Sequence, residues 1–380
     1  MTIRIERVTA HPVSFRLPEH LQVSLGIGRT VKRDAVLVRV ETSAGVSGWG
    51  EAHAARAPTA IAELINTTLA DLVRGMDALD TESVWERVYR MQLASHGAGA
   101  AAVIGLSGID LALWDIKGKV ADKPVYALLG GVQRVIPAYA GGISLGFESP
   151  EDLVSEARAL ATQGFSALKL RLGDTPKMDL ARVEAVRDAL GDAVEILTDA
   201  NTAYSLEDYD AVADGLVAAR VAWLEEPFPA HDYRAYRAAR RDDLVLAAGE
   251  NHYTRFDFER AADDGVLGIW QPDLSKTGGL TEGFRIAALA ASHGIRIHPH
   301  TSLTALNMAA SLHLLSVIDN GGYFEADCSR YNPMRDVLCA DLEHLTEHGS
   351  FQAPPGAGLG VRVEEGALDA FTAIPGAGYC

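Results

Sequence analysis

Six short apolar runs, each closed by a polar residue, follow one another at nearly constant intervals between Ala167 and His300. They span Ala167 to Arg171, Val194 to Asp199, Val221 to Glu225, Leu246 to Glu250, Leu267 to Asp273 and Ile295 to His300. Their closing residues are separated by 28, 26, 25, 23 and 27 positions. A strand, a loop, a helix and a return loop use about that much chain in a (β/α)8 barrel, which divides roughly 250 residues among eight units. Such barrels build their active sites from side chains at the C-terminal ends of several strands. The repeat therefore predicts both the architecture and the face that carries the chemistry.

A chain of 380 residues has room for one barrel and a smaller domain. Ile3 to Val8 and Ala35 to Val40 read as strands, and Gly45, Gly48 and Gly50 around Trp49 as a turn and strand leading to Glu51. Pro18 to Thr30, with Gly26 and Gly28, reads as a polar, mobile segment. Helical spacing follows over Thr59 to Val73, Thr81 to Met91 and Ala100 to Val120. The barrel is expected to start with a strand at Val135 to Ala140 and a helix at Pro150 to Gln163, and to end with a strand at Gly321 to Glu325. This divides the chain into an α+β domain (1–125), a barrel (126–354) and a tail from about 355 to 380. No apolar run approaches the ~20 residues of a membrane span. The first residues lack the apolar core of a signal peptide, so the expected location is the cytoplasm. Three cysteines without a CxxC pair form neither a disulfide framework nor a thiolate metal site. A formal charge of -17 argues against nucleic acid and anionic membrane as partners.

Asp199, Glu225 and Glu250 close three successive predicted strands. Neighbouring strands lie about 4.8 Å apart, so these acids converge, and their repulsion amounts to several kcal/mol at moderate dielectric. A hard divalent cation relieves it, and an all-oxygen ligand set selects Mg2+, with Mn2+ next. Asp273 and His300 close the following two strands. A carboxylate beside an imidazole fixes its tautomer and raises its basicity, which suits a general base. His298, two residues before His300, is predicted to face the same side, either as a substrate ligand or as a polar residue of the cavity. Lys169 and Arg171 both face the interior, where two buried cations require an anionic ligand or the acids of the metal site.

The run Gly108-Ile-Asp-Leu-Ala-Leu-Trp-Asp-Ile-Lys-Gly118, continuing to Pro124-Val-Tyr-Ala-Leu-Leu-Gly-Gly131, resembles the mandelate racemase and muconate lactonising enzyme branch of the enolase superfamily. Asp110 and Asp115 within it are read as core rather than chemistry. Asp199-Ala-Asn201, Glu225-Glu-Pro227 and Gly249-Glu-Asn251 are similar to the words that hold that family's metal. The resemblance implies a modified TIM barrel, (β/α)7β, with an N-terminal α+β capping domain completed by the C-terminal tail. It implies Asn201, Glu226 and Asn251 as partners of the metal ligands, an Asp273–His300 dyad, and a Glu325 that hydrogen-bonds the substrate carboxylate. It also implies a homo-oligomer, dimer or octamer. The departure is at Arg171, where the family usually carries the second lysine of Lys-x-Lys, an acid/base catalyst. Arginine stays protonated and serves better as a clamp.

The resemblance implies abstraction of the proton α to a carboxylate, with the enediolate held by Mg2+. With Arg171 in place of the second base, racemisation by two bases is impaired. A one-base route remains, in which His300 removes the proton and returns it to a departing β-hydroxyl. Lys169 as base with His300 as acid stays open as a variant. The expected activity is dehydration of an acid sugar, a small carboxylate, to a 2-keto-3-deoxy acid. The alternatives are a racemase or epimerase of a 2-hydroxy or amino acid, and a cycloisomerase of a sugar-acid lactone. The segments at Gln271 and Tyr331-Asn-Pro333 resemble sugar-lactone members. A non-catalytic metal-binding scaffold has no use for a poised dyad. Arg29, Lys32, Arg33, His53 and Arg56 read as solvated loop residues, with contact to a distal group of the substrate left open.

Overall fold

In the computed structural model, which describes residues 2–301, 303–340, 345–346 and 349–380, the chain opens with a three-stranded antiparallel sheet. Its strands are β1 (Ile5–Arg16), β2 (Lys32–Thr42) and β3 (Ser47–His53), with β2 in the middle. From Ala35 to Val38 every side chain of β2 is fully buried, because the sheet is covered on both faces. Against it lies α1 (Ala100–Ala121), buried continuously from Ala102 to Ile116. A helix apolar all round must be enclosed, and α1 is held between the sheet and the barrel. Gly48 and Gly50 permit the approach, since a Cβ at either would collide with the carbonyl oxygens of Ala112 and Gly108. The two shorter helices are less regular than their spacing predicted. Pro58–Glu63 and Ala70–Val73 are separated by a wide turn of π type at Leu64–Leu69, and Thr81–Val88 passes into another at Tyr89–Leu93.

Eight parallel strands then close the barrel: β4 (Ile136–Gly141), β5 (Ala167–Arg171), β6 (Glu195–Asp199), β7 (Val221–Glu225), β8 (Leu246–Ala248), β9 (Leu267–Trp270), β10 (Arg296–Ile297) and β11 (Phe324–Asp327). β11 pairs with β4, and Gly321 bridges Ile297 of β10. Seven helices connect them: α2 (Pro150–Thr162), α3 (Pro176–Leu190), α4 (Leu206–Ala218), α5 (Tyr233–Ala238), α6 (Thr254–Asp264), α7 (Gly279–Ser292) and α8 (Ala305–Leu315). The architecture is a modified TIM barrel, (β/α)7β, with an N-terminal α+β cap. Period-two alternation sorts the strand residues. Leu168, Leu170, Ile196 and Leu224 join the core shared with the helices, while Tyr139, Ala167, Leu197, Trp223, Ala247 and Ile269 form a separate plug inside the barrel.

Arg171, Asp199 and Glu225 do end their strands. Glu250, Asp273 and His300 lie two or three residues past theirs, in the loops. Pro272 and Pro299 have no N–H for the ladder, which stops before them. Gly249 turns out at φ 154° after β8. The last strand starts at Phe324 rather than Gly321, so Glu325 is its second residue.

The segment Pro18 to Thr30 folds as a short turn and a hairpin, Ser24–Leu25 with Gly28–Arg29. The tail secures it through Arg29 N to Cys380 O, 2.8 Å, and Val31 N to Gly378 O, 2.9 Å. Asp115 ties sheet, helix and tail together by accepting from Trp49 N at 2.9 Å and Leu359 N at 3.0 Å.

Among the described residues, two carboxyls span the seam between cap and barrel without a cation bonded to them. Asp110 accepts from Thr281 N (3.0 Å) and Oγ1 (2.5 Å), and Glu51 from Thr304 Oγ1 (2.5 Å) and Asn307 N (3.3 Å). Burial pushes Asp110 up to about 7 and Glu51 up to about 8. A carboxyl raised in this way keeps its proton when folded and releases it when unfolded. Its contribution therefore weakens stability progressively from its unfolded value, about 4.5, up to about 8. Glu51→Gln is expected to remove that loss. Its melting temperature relative to wild type should rise between pH 5 and pH 8; Asp110 is common to both proteins and cancels. A difference independent of pH contradicts the assignment.

Candidate active site

Strand register brings the acids together. Arg171 of β5 is paired with Asp199 of β6, and Asp199 with Glu225 of β7. With Glu250 from the loop after β8, one carboxylate oxygen from each acid lies within 4.8 Å of the others. The turns that follow are held in the left-handed region by residues other than glycine, at Asn201 (φ 45°), Thr202 (64°) and Glu226 (37°). Such backbone is costly and concentrates at functional sites. Here it lets Asn201 cap Asp199 twice, N to Oδ1 at 2.7 Å and Nδ2 to Oδ2 at 3.0 Å. Asn251 Nδ2 binds both oxygens of Glu226, at 3.1 and 2.8 Å. Burial, then the neighbouring anions, raise Glu225 to about 7 and Glu226 well above the usual carboxylate range. Hard oxygen donors this crowded and this short of counter-charge fit a hard divalent cation, with Asp199, Glu225 and Glu250 as the residues that could hold it.

Both strand cations are committed to these acids. Lys169 is fully buried; its Nζ lies 2.9 Å from Glu225 Oε1, 2.9 Å from Glu325 Oε1 and 3.6 Å from Asp199 Oδ2. Burial pulls its ammonium down, but Glu225 and Glu325 outweigh that and hold it well above its ordinary value. Arg171 Nη1 donates to Asp199 Oδ2 and Nη2 to the carbonyl of Gly142 at 2.5 Å. Glu325 is not on the rim. It lies within the barrel and accepts from Lys169, from Thr301 N at 3.2 Å and from Gly142 N at 3.3 Å. Lys169, His300 and Arg171 outweigh its burial and hold it ionised, at about 2. An ionised Glu325 accepts hydrogen bonds and does not donate them.

On the far side His300 Nδ1 meets Asp273 Oδ2 at 2.7 Å, and Nε2 lies 3.2 Å from Glu250 Oε2. Asp273 Oδ1 is filled by Ser275 N (2.7 Å), Ser275 Oγ (2.6 Å) and Asn307 Nδ2 (3.0 Å). Despite burial, the hydrogen bond to His300, then the charges of His300 and Lys276, keep Asp273 far below the ordinary range. Burial lowers His300, yet Glu250, Glu325 and Asp273 lift it to about 9.

His298 is placed elsewhere. β10 ends at Ile297, so the two-residue alternation does not carry through to His300. The His298 ring packs edge-on against Trp223 at 5.1 Å and lies 5.7 Å from Tyr323; it does not line the cavity. Other polar partners were not singled out as site residues from sequence. Gln271 Nε2 donates to Glu225 Oε2 at 2.7 Å, and Lys276 Nζ to Asn251 Oδ1 at 3.0 Å. Lys276 follows Asp273 by three residues in a loop, where only the turn geometry reveals its direction. A cavity of about 480 Å³ opens above Arg171, Asn201, Glu226, Glu250, Asn251 and His300, and the cap contributes Leu25, Ile27, His53 and Arg56. A larger cavity, about 1030 Å³, beside α2 and Cys328 contains neither triad nor dyad.

The family models for the mandelate racemase / muconate lactonizing enzyme N-terminal domain and the enolase C-terminal domain-like region match residues 5–130 and 152–367. The chain belongs to the mandelate racemase / muconate lactonizing enzyme family. Within this family it is 31% identical to D-galactarolactone cycloisomerase of Agrobacterium fabrum, over 97% of this chain and 99% of that protein. It is 34% identical to D-galactonate dehydratase of Ralstonia pickettii, over 87% and 89%. A solved member of the enolase superfamily from Polaromonas sp. JS666 superposes with a TM-score of 0.96 at 49% identity, covering 99% of this chain and 100% of that one. A racemase from Streptomyces coelicolor A3(2), solved with bound magnesium, gives 0.86 at 30% identity, covering 97% and 100%.

Titrating Mg2+ into protein stripped with EDTA is expected to raise its melting temperature, because an ion binding only the assembled triad stabilises the fold. Glu250→Gln should weaken the apparent affinity at least about tenfold. No shift at millimolar Mg2+ contradicts the triad as a metal site.

Proposed function

We propose that this enzyme is a magnesium-dependent acid-sugar dehydratase. The observation that carries the reading is the commitment of Arg171. Its guanidinium is bonded to Asp199 and Gly142, where the family usually has its second proton-transfer lysine. Lys169 is enclosed by three carboxylates and does not line the cavity. That leaves the Asp273–His300 pair as the proton-transfer group at the cavity floor.

Asp199, Glu225 and Glu250 would hold Mg2+, with Asn201 fixing Asp199 and Gln271 fixing Glu225. Bound there, the ion supplies positive charge that polarises the substrate carboxylate and offsets the Glu250 charge holding His300 protonated. Asp273 keeps the proton on His300 Nδ1, so Nε2 is the accepting nitrogen. His300 takes the proton α to the carboxylate, and the C–H electron pair moves into the carboxylate. Lys169 and Arg171, cations beside the triad, contribute preorganised positive charge as negative charge accumulates. The pair then returns to form the Cα–Cβ double bond as the β C–O bond breaks. His300, now imidazolium, gives its proton to the departing hydroxyl, which leaves as water. The enol tautomerises to a 2-keto-3-deoxy acid. Racemisation needs a proton from the opposite face, and a guanidinium does not release one.

A second reading draws support from the cycloisomerase relative, which aligns over nearly the whole of both chains. In a sugar-acid lactone whose ring oxygen is β to the free carboxylate, the same elimination opens the ring instead of releasing water. The two differ in leaving group and share the base.

His300→Asn is expected to abolish both loss of the α-proton in D2O and 2-keto acid formation from acid sugars, by about 10²- to 10⁴-fold. A rate within tenfold of wild type removes His300 from the mechanism.

A further inference from the structure

We infer that Glu51 of the cap is a positioning residue of the proton-transfer pair, acting through Asn307 to hold Asp273, and through Asp273 the His300 ring. This rests on the Asp273–His300 pair of the reading above. It adds to that pair a residue of the other domain that does not line the active-site cavity.

An imidazole is aimed only as well as the carboxylate behind it is fixed. One oxygen of Asp273 faces His300 Nδ1 at 2.7 Å. The other, Oδ1, accepts three hydrogen bonds from two residues. Ser275 gives N at 2.7 Å and Oγ at 2.6 Å, and Asn307 gives Nδ2 at 3.0 Å. Both donors are held in turn by one strand of the cap, β3. The carbonyl of Ser275 accepts from His53 N at 3.0 Å, and the backbone N–H of Asn307 reaches Glu51 Oε2 at 3.3 Å. The first line ends in backbone atoms, which any residue at position 53 except proline supplies. The second ends on a side chain and needs an acceptor there.

Asn307 is 1% exposed, so without that acceptor its N–H would be buried and unpaired. Among the described residues its Oδ1 has no partner, so the amide is tethered only through Nδ2 and takes its direction from the backbone. Glu51 Oε2 also meets the hydroxyl of Thr304 at 2.5 Å. Thr304 is the N-cap of α8, its Oγ1 accepting from Leu306 N at 3.2 Å, and it follows His300 by four residues. One oxygen of the cap therefore fixes the first turn of the helix that comes after the proton carrier. Burial, and then the charge of Asp273, push Glu51 up to about 8 against the Thr304 bond. A carboxyl that keeps its proton orders Asn307 without setting a second anion against Asp273.

The test reads the His300–Asp273 hydrogen bond itself. In Mg2+-loaded protein the His300 Nδ1 proton is expected as a far-downfield NMR resonance, identified by its loss in His300→Asn. It should be lost or displaced in Glu51→Met, which keeps length and apolar packing but offers no oxygen. The same is expected of Asn307→Ala, which leaves the backbone N–H on Glu51 and removes only the reach to Asp273. Glu51→Gln, which keeps an oxygen, should restore it. With D-galactonate and galactarate in D2O, kcat for loss of the α-proton should fall at least about tenfold in Glu51→Met and Asn307→Ala while KM stays within about threefold. The double variant should lose no more than the worse single one, since the two side chains act in series. A folded Glu51→Met with lowered melting temperature but the resonance and kcat of wild type overturns the inference, as do losses that multiply in the double variant; either leaves the dehydratase reading standing. If Glu51→Met does not fold, Asn307→Ala decides: an unchanged resonance overturns the inference and a lost one supports it. If neither acid exchanges its α-proton in wild type, the acid-sugar reading fails, and the resonance still decides the inference.

Discussion

Carboxylates crowd one end of this barrel more densely than burial alone tolerates. Asp199, Glu225, Glu226 and Glu325 are almost or wholly inaccessible, and Glu250 stands beside them. Buried charge without compensation costs several kcal/mol per group. The protein supplies two interior cations, Lys169 and Arg171, and a third, Lys276, near the rim. Lys169 serves three acids at once, which explains why its ammonium is enclosed instead of presented to the cavity. The remaining excess of negative charge is the reason for a divalent ion. Such an ion would also offset the unfavourable field of a chain of formal charge -17 where an anionic substrate binds.

The same electrostatics divides the labour among proton carriers. Arg171 is locked onto Asp199, so the side of the site where a second base would stand holds a permanent cation. In the proposed one-base mechanism His300, oriented through Asp273, carries both halves of the proton transfer. Asp273 itself is saturated by Ser275, Asn307 and His300, so it orients the imidazole while remaining ionised. Asn307 connects this pair to the cap, because its backbone N–H also meets Glu51. Cap and barrel therefore share a polar seam directly beneath the catalytic loop.

The barrel and its polar rim were legible because they follow from a period. Each strand end recurs after one βα unit, and the side-chain types at those ends set the three clustered acids apart from the Asp273–His300 pair. Where the period stops, legibility stops. Pro272 and Pro299 end the ladders early, which places Asp273 and His300 in loops, where they still meet at 2.7 Å. The same interruption defeated the alternation argument for His298, which packs on Trp223. Glu325 is expected at the end of the last strand; its burial beside Lys169 depends on that strand starting three residues later. Gln271 and Lys276 act through contacts across neighbouring loops, and such contacts have no local sequence signature.

The proposed mechanism confines proton transfer to one face, with His300 as the carrier and no proton supplied by Arg171 from the other. Incubating the Mg2+-loaded enzyme with galactarate or D-galactonate in D2O, and analysing both product and recovered substrate by NMR, tests this directly. A 2-keto-3-deoxy acid is expected from the acid that is turned over, with the recovered substrate unchanged in configuration at its α-carbon. Recovered substrate that is deuterated and epimerised at that carbon would show a second proton donor opposite His300 and contradict it.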